Sequence, residues 1–278
     1  MRVSFLGVRG STPAPGEAFE RYGGHTSCVA LAHDGEAPSI LLDAGTGIRR
    51  CVDLLDGQPF RGAILLTHLH WDHIHGLPFF AGSDRDDART SLFIPDPGDG
   101  SDALELLARG MSPPHFPVRP DELRGEWSFT AHSPGVVDVE GFTVRTEEIP
   151  HKGGRTFGFR VSDATSTVTY MPDHCPDAIG EGPDGLGEYH ATALALCQDA
   201  DVLVHDAQLV REELAAEGYF GHAAAEYAVE LARRTNVKHA VLFHHKPDRT
   251  DDQLDEIARR FDDSPRVTVA KQSTVLDL

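Results

Sequence analysis

A layered α/β fold, with sheets inside and helices outside, is what the 278-residue sequence predicts. Three observations carry it. Short apolar runs recur along the chain, separated by polar or glycine-rich segments. Several runs are continuous rather than alternating, as expected of strands covered on both faces. Segments of helical periodicity lie between and after them.

In chain order, residues 3–6, 27–32, 40–42, 63–67, 142–146, 156–161, 167–171, 202–204 and 240–243 read as strands. Residues 101–109 read as a short helix that Gly110 stops. Residues 223–234 read as a longer one, because Ala224, Ala228, Leu231 and Ala232 share a face. A third spans 251–261, with Leu254, Ile257, Ala258 and Phe261 on its apolar side and a Thr250–Gln253 capping box at its start. The 34 residues after His244 leave room for that helix and a final strand or two. The stretch 82–120 is rich in Pro, Asp and Gly and reads as a lid-like insertion in a single domain spanning 1–278.

Composition narrows the function classes. Hydrophobic residues are 40% and charged residues 25%, ordinary for a soluble globular chain. Asp and Glu number 44 against 25 Lys and Arg, a net charge of −19. That balance argues against a long nucleic acid as partner, which needs a basic stripe. It argues equally against an anionic membrane surface. No run is apolar over the ~18 residues of a membrane span, and the amino terminus lacks a signal-peptide pattern. Cys28, Cys51, Cys175 and Cys197 form no CxxC pair, so a reduced cytoplasmic location is expected. The hexapeptide Gly180-Glu181-Gly182-Pro183-Asp184-Gly185 matches GxGxxG formally but neither follows a strand directly nor opens a helix, so it reads as a loop.

Sixteen histidines are the outlying number, and their positions carry the functional argument. Directly after the strand 63–67 comes His68-Leu69-His70-Trp71-Asp72-His73. His68 and His70 are two apart, so in extended chain both point to one side. Asp72 and His73 are adjacent and are better placed to serve a second metal. Imidazole with carboxylate suits zinc, with manganese or iron as alternatives. Other apolar strands are followed in the same way by ligand-type side chains: His151, Asp173 and His244. Ligand sites collect at such strand ends. A one-residue shift of the last strand would put His245 in the place of His244. Asp206 also follows a strand, and His222 stands just before a helix. A carboxylate orienting an imidazole is the usual acid–base pairing.

These motifs together resemble the metallo-β-lactamase-fold hydrolases, in the branch of RNase Z and small phosphodiesterases. His68–His73 matches that family's HxHxDH signature, and His151, Asp173 and His244 follow in its order. Val204-His205-Asp206-Ala207 is similar to the family's HEAT motif, with Asp for Glu. The segment 221–228, GHAAAEYA, is similar to its GHST helix start without the Ser and Thr. Residues 6–13, LGVRGSTP, and 22–28, YGGHTSC, resemble amino-terminal motifs of an uncharacterised group in this branch, which carries Asn where this chain has His25. Leu42-Asp43-Ala44-Gly45 resembles the family's second-strand turn.

The resemblance implies a four-layer αβ/βα sandwich with two divalent metal ions in a cleft at one edge. His68, His70 and His151 would hold one, Asp72, His73 and His244 the other, with Asp173 bridging and Asp43 supporting from behind. Asp72, His222 and Asp206 are the catalytic candidates. The expected reaction is in-line attack of metal-activated hydroxide on a phosphodiester, with His222, oriented by Asp206, protonating the leaving alkoxide. Two cations with their acidic ligands and a hydroxide leave the cleft about +1, so the site accepts a phosphate despite the acidic chain. His115, Phe116 and Lys152 are the expected substrate contacts, with Arg155 and Lys246 close to ligands. RNase Z binds tRNA through an arm between the positions of His151 and Asp173, where this chain has only 21 residues. The expected substrate is therefore a small phosphodiester or cyclic nucleotide. An RNase Z-like endoribonuclease, a hydrolase of a thioester, lactone or β-lactam, and a non-enzymatic metal-binding module are the alternatives. Family members are often dimers, so a homodimer is the analogous expectation.

Overall fold

The computed structural model describes residues 1–261 and 266–278. The strands are, in chain order, β1 (Arg2–Gly7), β2 (Cys28–Ala32), β3 (Ile40–Leu42), β4 (Arg61–Leu65), β5 (Arg89–Pro95), β6 (Glu126–His132), β7 (Gly135–Val139), β8 (Phe142–Ile149), β9 (Thr156–Ser162), β10 (Thr167–Met171), β11 (Val202–Asp206), β12 (His239–Phe243), β13 (Arg266–Val269) and β14 (Val275–Asp277). The helices are α1 (Trp71–Ile74), α2 (Ala103–Ala108), α3 (Ala191–Cys197), α4 (Leu214–Glu217), α5 (Ala225–Arg234) and α6 (Asp251–Ala258). Asp102 and Thr250 cap α2 and α6 by accepting from the backbone N–H groups of Glu105 and Gln253.

Two seven-stranded sheets result, ordered β14-β1-β2-β3-β4-β5-β6 and β13-β12-β11-β10-β9-β8-β7. They face each other across one apolar layer. Val3, Phe5, Leu31, Leu42 and Leu65 of the first meet Val144, Phe157, Phe159, Tyr170, Val204 and Phe243 of the second, all buried. Outside the first sheet, Ile48, Cys51, Leu77 and Leu107 cover Leu41, Ile64 and Leu92. Outside the second, Leu196, Tyr227 and Leu231 cover Leu203 and Ala240, while Leu254 and Ile257 cover Leu242. Helices thus lie on both outer faces, which makes the four-layer αβ/βα sandwich. The inner strands are buried on both faces, which is why they read as unbroken apolar runs. No helix among the described residues is long and apolar enough to cross a membrane, and the four cysteines are buried and unpaired.

One expectation changes. Within 82–120, β5 is a strand paired in parallel with both β4 and β6, so that stretch is part of the first sheet as well as surface loop.

The topology gathers the site. The pairs β3–β4, β10–β11 and β11–β12 are parallel, so in each sheet their carboxyl ends share an edge. Asp43 follows β3, Thr67 and His68 follow β4, Asp173 follows β10, Asp206 closes β11 and His244 follows β12.

The loop after β1 is stitched to the loop after β12. Gly10 N–H donates to His245 O, and His245 N–H donates to Val8 O, both at 2.9 Å. Arg9 is fully buried between them. Its guanidinium donates to Gly23 O at 2.8 Å and Arg249 O at 2.7 Å, and stands 3.5 Å from Asp251 Oδ1. Arg9→Met strands those acceptors and leaves Asp251 without its buried partner. We expect a loss of about 3–5 kcal/mol, read from denaturant midpoints. A loss below about 1 kcal/mol would show that the backbone bonds alone hold the two loops.

Candidate metal centre

The HxHxDH segment changes conformation in its middle. His70 is extended, with φ −66° and ψ 152°, and α1 begins at Trp71. His68 and His70 therefore project from extended chain, and Asp72 and His73 from the first turn of a helix. That break divides the motif between two donor groups. His68, His70, His151 and Asp173 form one, and Asp72, His73 and His244 the other, with the donor atoms of each within 4.8 Å of one another.

Asp173 lies between the groups. Its Oδ1 is 3.4 Å from His151 Nε2 and 3.9 Å from His68 Nε2. Its Oδ2 is 3.0 Å from His73 Nε2 and 3.2 Å from His244 Nε2. Asp72 Oδ2 is 3.2 Å from His73 Nε2 and 3.0 Å from His244 Nε2.

The outer atoms of the rings are held from behind, as metal-ligating imidazoles require. Asp43 Oδ2 accepts from His73 Nδ1 at 2.8 Å and from Tyr170 OH at 3.0 Å, and its Oδ1 accepts from Thr67 N–H and Oγ1. His151 Nδ1 donates to Gly221 O at 2.8 Å. His244 Nδ1 sits 3.2 Å from the Gln208 amide. Ser11 N–H donates to Asp72 Oδ2 at 2.7 Å. Asp43 and His244 are non-glycine residues at φ 60° and 58°, the left-handed region where backbone strain gathers at functional sites.

Two buried atoms test whether the cluster fits a metal. His68 Nε2 and Asp173 Oδ2 have no hydrogen-bond partner among the described residues. Asp173 Oδ2 approaches two imidazole nitrogens without bonding geometry to either. Buried polar atoms are rarely left so. Both point into a pocket of imidazole and carboxylate donors, the chemistry that divalent zinc, manganese or iron takes. The residues fit the group.

Beside the cluster stands a second pair. His222 Nδ1 donates to Asp206 Oδ2 at 3.0 Å. Asp206 also accepts from the backbone N–H of His174, Ala223 and Gln208. Burial disfavours the His222 imidazolium, but Asp206, Asp173 and Asp72 outweigh it and raise its pKa to about 9. His222 also falls with Asp173 and His244 in a third group of donor atoms within 4.8 Å.

Sequence reasoning left several parts of the site unassigned. The LGVRGSTP segment supplies Ser11 N–H and the close approach of Gly10 to the His244 ring. A chain of imidazoles braces Asp206 from behind. His205 Nδ1 donates to Asp206 O, His174 Nδ1 lies 2.9 Å from His205 Nε2, and His174 Nε2 lies 3.1 Å from His190 Nε2. The His190 ring is half-buried, so the brace runs from the surface to the core. Its only trace in the sequence is the histidine count.

Other expected residues fall elsewhere. His245 is outside the cluster: its Nε2 donates to Ala270 O at 2.7 Å, and burial pushes its pKa down to about 3. This removes the register ambiguity in favour of His244. Two cavities border the cluster, of about 360 and 690 Å³. His115 and Phe116 line neither; they line another cavity with Thr46 and His75, where Phe116 meets Phe79 edge-on at 5.9 Å. Lys152 also lines neither, and its Nζ donates to Tyr219 O at 2.9 Å. Arg155 lines the smaller cavity and is paired with Glu148 at 2.8 Å. Lys246 lines the larger one.

The family model for the Beta-lactamase superfamily domain matches residues 39–245. The curated Ribonuclease Z of Geobacillus kaustophilus is 28% identical over 287 residues, covering 88% of this chain and 88% of that protein. The crystal structure of human tRNase Z, short form, superposes with a TM-score of 0.67 at 24% identity over 100% of this chain and 99% of that one. A diphosphatase from the PhnP family gives 0.69 at 17% identity over 100% and 97%. At these identities the two structures speak to the fold.

Proposed function

The chain belongs to the β-lactamase superfamily and is a metal-dependent hydrolase, and from that premise we propose that it cleaves phosphodiester bonds, RNA being the substrate class its relatives favour. The observation that carries the proposal is the pairing of two donor groups through Asp173 with an Asp206-held imidazole, His222, alongside. Expulsion of an alkoxide needs a proton at the departing oxygen, and hydrolysis of an activated amide or thioester needs it less.

In this reading His68, His70, His151 and Asp173 would hold one divalent cation, and Asp72, His73 and His244, with Asp173, would hold a second, zinc first. Bound there, such ions lower the pKa of water and neutralise charge on phosphoryl oxygens. The chain's own residues do the rest. Asp43, Thr67 and Tyr170 fix the tautomer and angle of His73. Ser11 N–H fixes Asp72. Asp206 keeps the His222 proton on Nδ1 in place and leaves Nε2 free to serve the leaving oxygen.

The acidic balance of the chain spoke against long nucleic acids, and the ribonuclease relatives speak the other way. Net charge is a property of the whole surface, whereas the local field in a metal cleft follows the cations. One observation keeps the small phosphodiester as a second reading. The strands β9 and β10 are joined by a tight turn in which Asp163 Oδ1 accepts from Thr165 and Ser166 N–H, with no arm between them. A parallel assay of a precursor tRNA, a cyclic nucleotide and bis-p-nitrophenyl phosphate tests the proposal. Turnover of the RNA supports the first reading, turnover of the diesters alone supports the second, and turnover of none with bound metal refutes both.

A glycine provides a finer test of the second donor group. A Cβ on Gly10 would stand 2.5 Å from His244 Nδ1 and 2.7 Å from Gln208 Nε2, so the ring must move. Gly10→Ala is expected to lower bound metal toward one ion per chain and cost roughly 10–100-fold in activity. Elemental analysis checks it; full metal content would exclude the account.

A further inference from the structure

Large exposed apolar side chains cost solvation free energy unless a ligand covers them, and two such aromatics line the metal cleft, with a third packed beside them. Trp71 is 68% exposed although it sits between His70 and Asp72. Its ring stacks on His75 at 5.4 Å and 20°, which pins one face and leaves the other open. It lines both cavities beside the donor cluster. Phe220, 50% exposed, lines the larger cavity together with His222. Tyr219 packs on Phe220 at 4.2 Å.

The turn that presents Phe220 is anchored to the metal site. His151 Nδ1 donates to Gly221 O, and Lys152 Nζ donates to Tyr219 O. Gly221 is at φ 93°, where a side chain would be strained, and its Cβ would press on Lys152. Two hydrogen bonds therefore tie the aromatic rim to the segment that carries the ligand His151.

His222 lines the larger cavity and not the smaller, which places a departing group in the larger one. We propose that Trp71 and Phe220 form a stacking subsite for a nucleobase on the leaving side of the scissile phosphodiester. This rests on the phosphodiesterase reading and names the leaving group, a nucleoside. The rim charge agrees: Glu217 and Asp248 outnumber Lys246, whose Nζ lies 2.7 Å from Glu217 Oε1. A net-negative rim suits an uncharged ring better than a further phosphate.

The chain has two tryptophans, Trp71 and Trp127, so tryptophan fluorescence reports the subsite directly. Zinc-loaded protein is titrated with AMP and with ribose 5-phosphate, following fluorescence and calorimetry. AMP is expected to bind roughly tenfold more tightly than ribose 5-phosphate and to quench emission. Trp71→Leu is expected to bring AMP to the affinity of ribose 5-phosphate. Phe220→Ala is expected to weaken AMP alone, and Trp127→Phe to preserve both affinity and quenching. An unchanged AMP preference in Trp71→Leu overturns the subsite. So does failure of AMP to bind while bis-p-nitrophenyl phosphate is turned over, and in that case the phosphodiesterase reading stands. AMP preference lost with Trp71, in a protein that hydrolyses no diester, retains base stacking on Trp71 but overturns both that reading and the leaving-side assignment.

Discussion

Asp173→Ala is expected to abolish turnover, with kcat/KM down roughly 10³-fold or more, about 4 kcal/mol of transition-state stabilisation. Among the described residues, Asp173 is the carboxylate that approaches imidazoles of both donor groups. Its two oxygens lie within 4 Å of His151, His68, His73 and His244. Without it, six residues would remain to hold the two proposed cations, and Asp72 is the only carboxylate among those six. Both affinities should fall, so metal content per chain should drop along with activity. Asp173→Asn keeps the shape and loses the charge, and should fall between alanine and the parent. Chelator-treated parent supplies the control for folding. If the variant melts where the metal-free parent melts, the loss lies in the site; if it melts far below, Asp173 also holds the β10 loop together. Full metal content with parent-like turnover in Asp173→Ala would remove it from the centre altogether.

The same geometry explains what could be read in advance. His68, His70, Asp72 and His73 are contiguous, and His151, Asp173 and His244 each follow an inner strand whose apolar run is unmistakable. A buried inner strand and a ligand at its carboxyl end are local features, so sequence carries them. The strands not anticipated at their positions were β5, β6, β7, β13 and β14, and four of these are the edges of the two sheets. Edge strands bury little: β7 has four exposed residues of five, and β6 buries only His132. Their hydrophobic signal is correspondingly faint. The support of the site was hidden for a different reason. The contacts of Val8 and Gly10 with His245 span about 235 positions, and the Asp43–Tyr170 bond spans 127. Nothing local encodes such pairings. His115 and Phe116 line a cavity other than the two beside the donor cluster, a placement that loop composition does not carry.

His222→Ala separates acid catalysis from metal binding, and its expected result depends on the leaving group. The Asp206 carboxylate takes Nδ1–H, and under the proposed reading Nε2 serves the departing oxygen in the larger cavity. An alkoxide leaves slowly without a proton, and loss of a positioned acid should cost roughly 10²–10⁴-fold on an alkyl or nucleoside diester. A p-nitrophenolate leaves unaided, so bis-p-nitrophenyl phosphate should lose much less. Asp206→Asn should follow the same selective pattern more weakly, because the amide can still accept from Nδ1–H but no longer stabilises the charged ring. The proximity of His222 to Asp173 and His244 offers a competing role as a metal ligand. The two roles differ in what they predict. A ligand's loss lowers metal content and slows every substrate alike, whereas an acid's loss leaves metal in place and discriminates by leaving-group pKa. Equal losses on both diesters, with metal released, would assign His222 to the metals and leave the departing oxygen without a protein donor.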